Sequence, residues 1–138
     1  MEQARQILTT GGFTCVLRKE ETTYTATERG VKPLVRWLTE GIDARGFTAA
    51  DKVVGRATAY LYVLLGVREV WAAVMSEAAA EVLTRHGIAA SQDQLVKNII
   101  NRTGTGICPF EEAVLEIQDP EEALAAIRSK MAQMNITL

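Results

Sequence analysis

The sequence has little of what builds metal centres, disulfides or membrane spans. It contains one histidine, His86, and two cysteines, Cys15 and Cys108, which lie far apart and form no Cys-x-x-Cys motif. In a reducing compartment we expect both cysteines to be free thiols. Charged or strongly polar residues interrupt the longest apolar stretches before they reach the roughly 20 residues that a membrane-spanning helix needs. Residues 1–10 also lack the apolar segment of a signal peptide, so we predict a cytoplasmic protein with no membrane partner.

The sequence also lacks an excess of positive charge. It has 15 lysine and arginine residues against 17 aspartate and glutamate residues, for a net charge of −2. This balance gives no general attraction to nucleic acid, and we predict no nucleic-acid partner. With 48% hydrophobic and 23% charged residues, the composition is typical of a globular domain. We predict one domain over residues 1–138, in which residues 1–12 form a peripheral N-terminal segment.

Residues 47–87 are the centre of the predicted fold. Thr48 and Asp51 have the spacing of a short capping box, and apolar residues then recur at helical spacing as far as Gly66. This pattern predicts a helix that begins near Thr48, ends before Gly66 and shows one broad apolar face to a core.

A strand and a second helix follow in this central unit. The nearly unbroken apolar run from Val67 to Met75 is too short for another helix, and it predicts a central strand that is buried on both faces. Ser76 is a typical N-cap residue and Gly87 a typical helix terminator, so we predict a second helix from Ser76 to His86.

The flanking segments complete an α/β pattern. Before the central unit, the sequence predicts a short helix, a hairpin and a helix, at residues 2–9, 13–19 with 22–27, and 31–40. After it, the sequence predicts a short strand, a segment that is either helix or strand, a glycine-rich loop and two helices, at residues 88–90, 92–100, 101–106, 110–117 and 120–133. This order predicts a sheet covered by helices.

Several separated motifs appear in one order along the chain. They are Ala50–Arg56, Leu64–Val67, Ser76–Glu77, Asn101–Gly106 and Cys108–Pro109. In this wording and order the chain resembles an uncharacterised prokaryotic family of unknown function within the cytidine deaminase-like superfamily. The resemblance implies a three-layer α/β/α sandwich around a mixed sheet.

The same resemblance implies that the superfamily's zinc is missing. Its deaminases hold zinc between two helix starts that carry His-x-Glu or Cys-x-Glu and Pro-Cys-x-x-Cys. The corresponding segments here are Asp51–Val53 and Met75–Glu77, and neither supplies these ligands. We therefore predict no metal and no cofactor.

The loop at residues 101–106 is the most suggestive site in the sequence. Its arginine, threonine hydroxyls and flexible backbone N–H groups suit a phosphate or a carboxylate. It is not a Walker A loop, and a turn whose glycines adopt positive φ explains it equally well. The predicted ligand-binding residues are Lys52, Ser76, Asn101, Arg102, Thr103, Gly104, Thr105 and Gly106.

Three residues are candidates for catalysis. Glu77 and Asp51 could transfer protons, and Cys108 precedes a predicted helix whose dipole favours a thiolate. Each also has a structural explanation, as a dipole partner, a helix cap and a small packed residue respectively. The favoured interpretation is a protein that binds a small anionic or nucleotide-like ligand. The alternatives are a zinc-independent enzyme and a homo-oligomeric interaction protein.

Overall fold

The structure is a computed structural model that describes residues 1–28, 30–100, 104 and 106–138. These described residues form six helices and five strands. In chain order they are α1 (Glu2–Gly11), β1 (Cys15–Lys19), β2 (Thr22–Ala26), α2 (Lys32–Thr39), β3 (Thr48–Val54), α3 (Arg56–Leu65), β4 (Glu69–Ser76), α4 (Glu77–Arg85), β5 (Ala89–Val96), α5 (Pro109–Ala113) and α6 (Pro120–Gln133).

The five strands form one mixed sheet in the order β2-β1-β3-β4-β5. The predicted hairpin pairs β1 with β2 in antiparallel register, and β1 also pairs antiparallel with β3. Strands β3, β4 and β5 run parallel to one another, because helices carry the chain back between them. The predicted mixed sheet and the α/β class are confirmed.

Helices cover both faces of the sheet and make three layers. The main core lies between one face and the helices that include α3, with Leu17, Tyr60 and Leu61 fully buried in it. The other face carries a smaller cluster in which Leu8 of α1 packs with Trp71. The sequence places residues 1–12 at the periphery, whereas in the structure α1 forms the second helical layer because its apolar stripe covers this face of the sheet.

The prediction of a helix from Thr48 is wrong over its first part. Residues Thr48–Val54 are strand β3, and the helix begins only at Arg56 and ends, as predicted, at Gly66, whose φ is 83°. Strand β3 pairs with a neighbour on each side, and these long-range backbone hydrogen bonds outweigh the local helical pattern. The Thr48 hydroxyl does not cap a helix but donates to the carbonyl of Arg18 at 3.2 Å.

Most of the other predicted elements are confirmed. Strand β4 occupies the apolar run, and helix α4 begins after Ser76, whose Oγ accepts a hydrogen bond from the Ala79 N–H at 3.1 Å. The ambiguous segment at residues 92–100 contributes to β5, an edge strand whose residues are all exposed or only partly buried. Within the described ranges, no helix is long and apolar enough to cross a membrane.

Candidate functional site

A cavity of about 420 Å³ lies where β3 ends and α3 begins. This is the carboxyl end of the parallel strands, where α/β sheets commonly place their ligand sites. Its volume is in the range of small-molecule pockets. The polar residues of its wall are Thr14, Asp51, Lys52, Thr58, Cys108 and Glu111, and the larger apolar residues are Val31, Val53, Ile99, Ile100 and Phe110.

Asp51 connects this cavity to the core through a chain of hydrogen bonds. The hydroxyl of the buried Tyr62 donates to Asp51 Oδ2 at 2.6 Å, and the backbone N–H of Val53 lies 3.3 Å from Oδ1. Cys15 Sγ lies 2.9 Å from the Tyr62 hydroxyl oxygen. Because the tyrosine uses its single proton on Asp51, the thiol is the donor in this second bond.

The electrostatic environment shifts the pKa of all three groups. Burial raises the pKa of Asp51 to about 6, although the hydrogen bonds from Tyr62 and from the backbone oppose this shift. Burial and the neighbouring Asp51 charge raise the pKa values of Tyr62 and Cys15 well above their ordinary values. Of these three hydrogen-bonded groups, Asp51 is thus the one whose pKa lies near neutral pH.

Glu111 places a second carboxyl group on the cavity wall, at the start of α3. Its two oxygens accept hydrogen bonds from the backbone N–H groups of Arg56 and Ala57, at 2.6 and 2.7 Å. These donors are the free N–H groups of a helix N-terminus, where a negative charge is favourable. Burial raises the pKa of Glu111, while the two N–H groups and the Arg56 charge oppose the rise. Gly55 permits this contact, because a Cβ at that position would overlap the carboxylate.

Lys52 is the cation among the described residues that line the cavity, and its side chain is exposed. Arg56 lies four positions after Lys52 in the chain and carries a second positive charge close to the cavity. In the structure, Arg56 donates to the Ile117 carbonyl at 2.8 Å and to the Tyr60 hydroxyl at 3.2 Å. The cavity therefore combines two carboxyl groups on its wall with one exposed ammonium group.

The structure brings together some of the predicted site residues but not all of them. Asp51, Lys52 and Cys108 line one cavity. Ser76 is buried as the N-cap of α4 and Glu77 is exposed in its first turn, and neither is among the described lining residues.

The predicted glycine-rich loop falls mostly outside the described residues. Within this loop the structure describes Gly104, whose φ is 72°, and Gly106. The residues outside the described ranges are Asn101, Arg102, Thr103 and Thr105. The positive φ of Gly104 agrees with the turn interpretation at that position.

Sequence reasoning missed Glu111 as a site residue. It lies 55 positions from Arg56, its hydrogen-bond partner, so no local pattern connects the two. The signal in the sequence that could indicate Glu111 is the helix start at Cys108–Pro109. Glu111 lies in the first turn of this helix, close in sequence to the candidate thiol of Cys108.

The side chains at the two helix starts do not fit the zinc centre of the deaminase superfamily. Helix α3 begins with Gly55 and Arg56, and α4 with Ser76 and Glu77, so no histidine or cysteine ligand stands at either start. In the part of the chain that the structure describes, no three histidine, cysteine or acidic side chains are grouped so that they could hold a metal ion.

Together, these features define an α/β protein with a mixed sheet and a cavity of mixed polarity at the carboxyl end of its parallel strands. Residues 3–131 match the TM1506 family, described as a domain of unknown function (DUF1893), and the chain belongs to this family. The predicted resemblance to a family of unknown function is thereby confirmed.

The solved structures that are similar to this chain include two proteins from Thermotoga maritima. A DUF1893 family protein (TM1506) from Thermotoga maritima is 28% identical, with a TM-score of 0.86 over 94% of this chain and 88% of that one. A diaminohydroxyphosphoribosylaminopyrimidine deaminase/5-amino-6-(5-phosphoribosylamino)uracil reductase from Thermotoga maritima is 16% identical, with a TM-score of 0.42 over 67% of this chain and 34% of that one. The second likeness is too weak to establish a fold or an activity. No curated protein matches the chain.

Proposed function

We propose that the protein binds a small nucleotide-like ligand in the cavity at the start of α3, and that it does so in the cytoplasm. The observation that carries this proposal is the Asp51 carboxyl group, which is buried in the protein and lines a cavity of small-molecule size. A buried carboxyl group costs free energy unless it has a partner. Tyr62 and the Val53 N–H use only part of its capacity, since a carboxylate has about four acceptor positions.

The chemistry of the cavity fits a heterocycle that bears an anionic group. Asp51 can accept a hydrogen bond from a ring N–H when it is ionised, and it can donate to a ring nitrogen or carbonyl when it is protonated. A pKa of about 6 keeps both forms available. Val31 and Phe110 offer apolar surface for the face of a ring. Lys52, which is exposed, can compensate a phosphate outside the buried part of the cavity.

The proposed membership in the cytidine deaminase-like superfamily is supported by this location at only one of two helix starts. The motifs in the sequence imply a pocket between two helix starts. The cavity includes Gly55 and Ala57 at the start of α3, whereas Ser76 and Glu77 at the start of α4 are not among its described lining residues. Since the zinc ligands do not fit, we do not extend the proposal to zinc-dependent deamination.

Titration calorimetry with a nucleoside, its monophosphate and inorganic phosphate tests this function. We expect the monophosphate to bind most tightly, Lys52→Gln to remove its advantage over the nucleoside, and Asp51→Asn to weaken both by about tenfold. Lys130→Gln on α6 is the matched control and should change neither affinity. The proposal is wrong if neither the nucleoside nor its monophosphate binds. It is also wrong if Lys52→Gln and Asp51→Asn both bind these compounds as tightly as the unmodified protein does.

An enzyme is the second candidate, and the presence of Asp51 and Cys108 on one cavity wall favours it. Asp51 has a pKa suited to proton transfer near neutral pH, and Cys108 has a thiol that could act as a nucleophile. Mass spectrometry of the nucleotide after incubation separates this candidate from simple binding. Turnover that is lost in Asp51→Asn and Cys108→Ser, but not in Glu77→Gln, would establish it. A nucleotide that is unchanged after incubation would argue against the enzyme and favour a protein that only binds it.

A further inference from the structure

A second concavity lies at the opposite end of the sheet from the Asp51 cavity. It has a volume of about 340 Å³ and forms where β1 ends and where β3 and β4 begin. Arg18, Lys19 and Arg68 line it from these strand ends, and Glu20 is the carboxylate among its described lining residues. The chain carries a net charge of −2, so three cations around one carboxylate depart from its general composition.

Within the described residues, no salt bridge neutralises the three cations of this concavity, although Glu20 lies on its wall and the Lys19 charge contributes to lowering the pKa of Asp43. Arg18 donates to two neutral oxygens, Gln3 Oε1 at 3.0 Å and Thr23 Oγ1 at 2.8 Å. Lys19 Nζ lies 3.5 Å from the carbonyl oxygen of Arg45. Over the same described residues, Arg18, Lys19 and Arg68 form no salt bridge.

The neighbouring Arg45 differs from Arg18 in that a carboxylate compensates its charge. Its guanidinium pairs with both oxygens of Asp43, at 2.7 Å for the shortest contact, so its charge is compensated locally. The bonds from Arg18 to Gln3 and Thr23 hold a guanidinium in place without compensating it. An arginine that is oriented but not neutralised is the arrangement that recognises oxyanions.

We propose that this second concavity binds a small multivalent oxyanion of the phosphate or pyrophosphate class. The guanidinium group of Arg68 supplies paired N–H donors, and Arg18 supplies the N–H groups that its bonds to Gln3 and Thr23 leave free. The ammonium group of Lys19 supplies a third positive charge. A compact anion fits better than an extended polyanion, because the acidic balance of the whole chain repels a ligand that continues beyond the concavity. The negative charge of Glu20 repels the anion, so removing this charge should increase the affinity for the anion.

Titration calorimetry with inorganic pyrophosphate at low ionic strength tests the proposal. We expect Arg68→Gln to weaken pyrophosphate binding by about tenfold and Glu20→Gln to strengthen it severalfold, since these changes alter the local charge in opposite directions. Arg128→Gln on α6 is the matched control and should have no effect. Pyrophosphate should bind more tightly than phosphate, and added sodium chloride should weaken both. Arg68 is exposed, and thermal melts of the variants verify that they fold.

The same titration distinguishes this site from the Asp51 cavity. Pyrophosphate binding that survives Lys52→Gln and falls in Arg68→Gln supports the proposal, whatever the nucleotide measurements show. Pyrophosphate binding that is lost in Lys52→Gln and kept in Arg68→Gln would overturn it, because the anion would then occupy the other cavity. Equal affinities in Arg68→Gln, Glu20→Gln and the unmodified protein, or no binding at all, would also overturn it.

Discussion

The hydroxyl of Tyr62 donates a 2.6 Å hydrogen bond to Asp51 Oδ2, and this bond joins a fully buried side chain of α3 to the wall of the cavity. Cys15 extends the chain from β1. A carboxyl group in such a place is fixed in orientation by the protein and lies away from bulk water. It is therefore both a source of pH-dependent stability and a preoriented partner for a ligand.

Asp51→Asn should alter how stability depends on pH. The pKa of Asp51 is about 6 in the folded protein against an ordinary value of 3.8, so folding takes up a proton between these values. The stabilising contribution is fully present below about pH 4 and is lost as the pH rises through about 6. A difference of about two pKa units corresponds to roughly 3 kcal/mol. The free energy of unfolding of the unmodified protein, minus that of Asp51→Asn, should fall by about this amount between those pH limits.

Urea unfolding at a series of pH values measures this difference. Glu112→Gln is a suitable control, because Glu112 is an exposed carboxyl group whose removal should shift the whole curve only slightly. Parallel pH profiles for the unmodified protein and Asp51→Asn would show that Asp51 has an ordinary pKa in the folded state.

Glu111→Gln should destabilise the protein by about 1–2 kcal/mol, because the amide keeps one acceptor oxygen and its NH2 group leaves one of the two backbone N–H groups at the start of α3 without an acceptor. Glu112→Gln changes the next residue of the same helix, and its effect should stay within about 0.5 kcal/mol. Chemical unfolding at neutral pH compares the two. Equal effects would mean that the bonds from Glu111 to Arg56 and Ala57 add nothing to stability.

Local signals in the sequence were enough for many of the elements. Ser76 caps α4 as its residue type predicts, and Gly66 ends α3 in the left-handed conformation. These features depend on hydrogen bonds within a few residues. Strand β3 depends on partners that come from β1 and β4, and the helical spacing of its apolar residues gave no sign of them.

The candidate site could be predicted only in part for the same reason. Residue type alone indicates Asp51, Lys52 and Cys108 as site residues, and the structure brings them to one cavity. The sequence pattern predicts Asp51 as a helix cap, whereas in the structure Asp51 is a residue of strand β3 and accepts a hydrogen bond from Tyr62. Such a role is set by tertiary packing, which the spacing of residues does not encode.

Ser76→Ala should cost about 1 kcal/mol of stability, because the Ala79 N–H loses its side-chain acceptor. Asp119→Ala provides a matched loss, since Asp119 Oδ2 accepts from the Glu122 N–H at the start of α6 at 3.0 Å. Thermal unfolding and nucleotide titration should be run together on both variants. A nucleotide affinity that falls in Ser76→Ala but not in Asp119→Ala would assign Ser76 the ligand-binding role that the sequence predicts.

Gly55→Ala should destabilise the protein by about 1–3 kcal/mol, because the new Cβ would overlap the Glu111 carboxylate and force it away from the start of α3. Gly106→Ala is the control, since a Cβ at that position meets no atom of the described residues within 4 Å. A double-mutant cycle makes the cause specific. In a Glu111→Ala background the overlap is absent, so Gly55→Ala should then cost much less. If the cost of Gly55→Ala is the same in both backgrounds, the glycine is needed by the backbone at the start of α3 and not by its contact with Glu111.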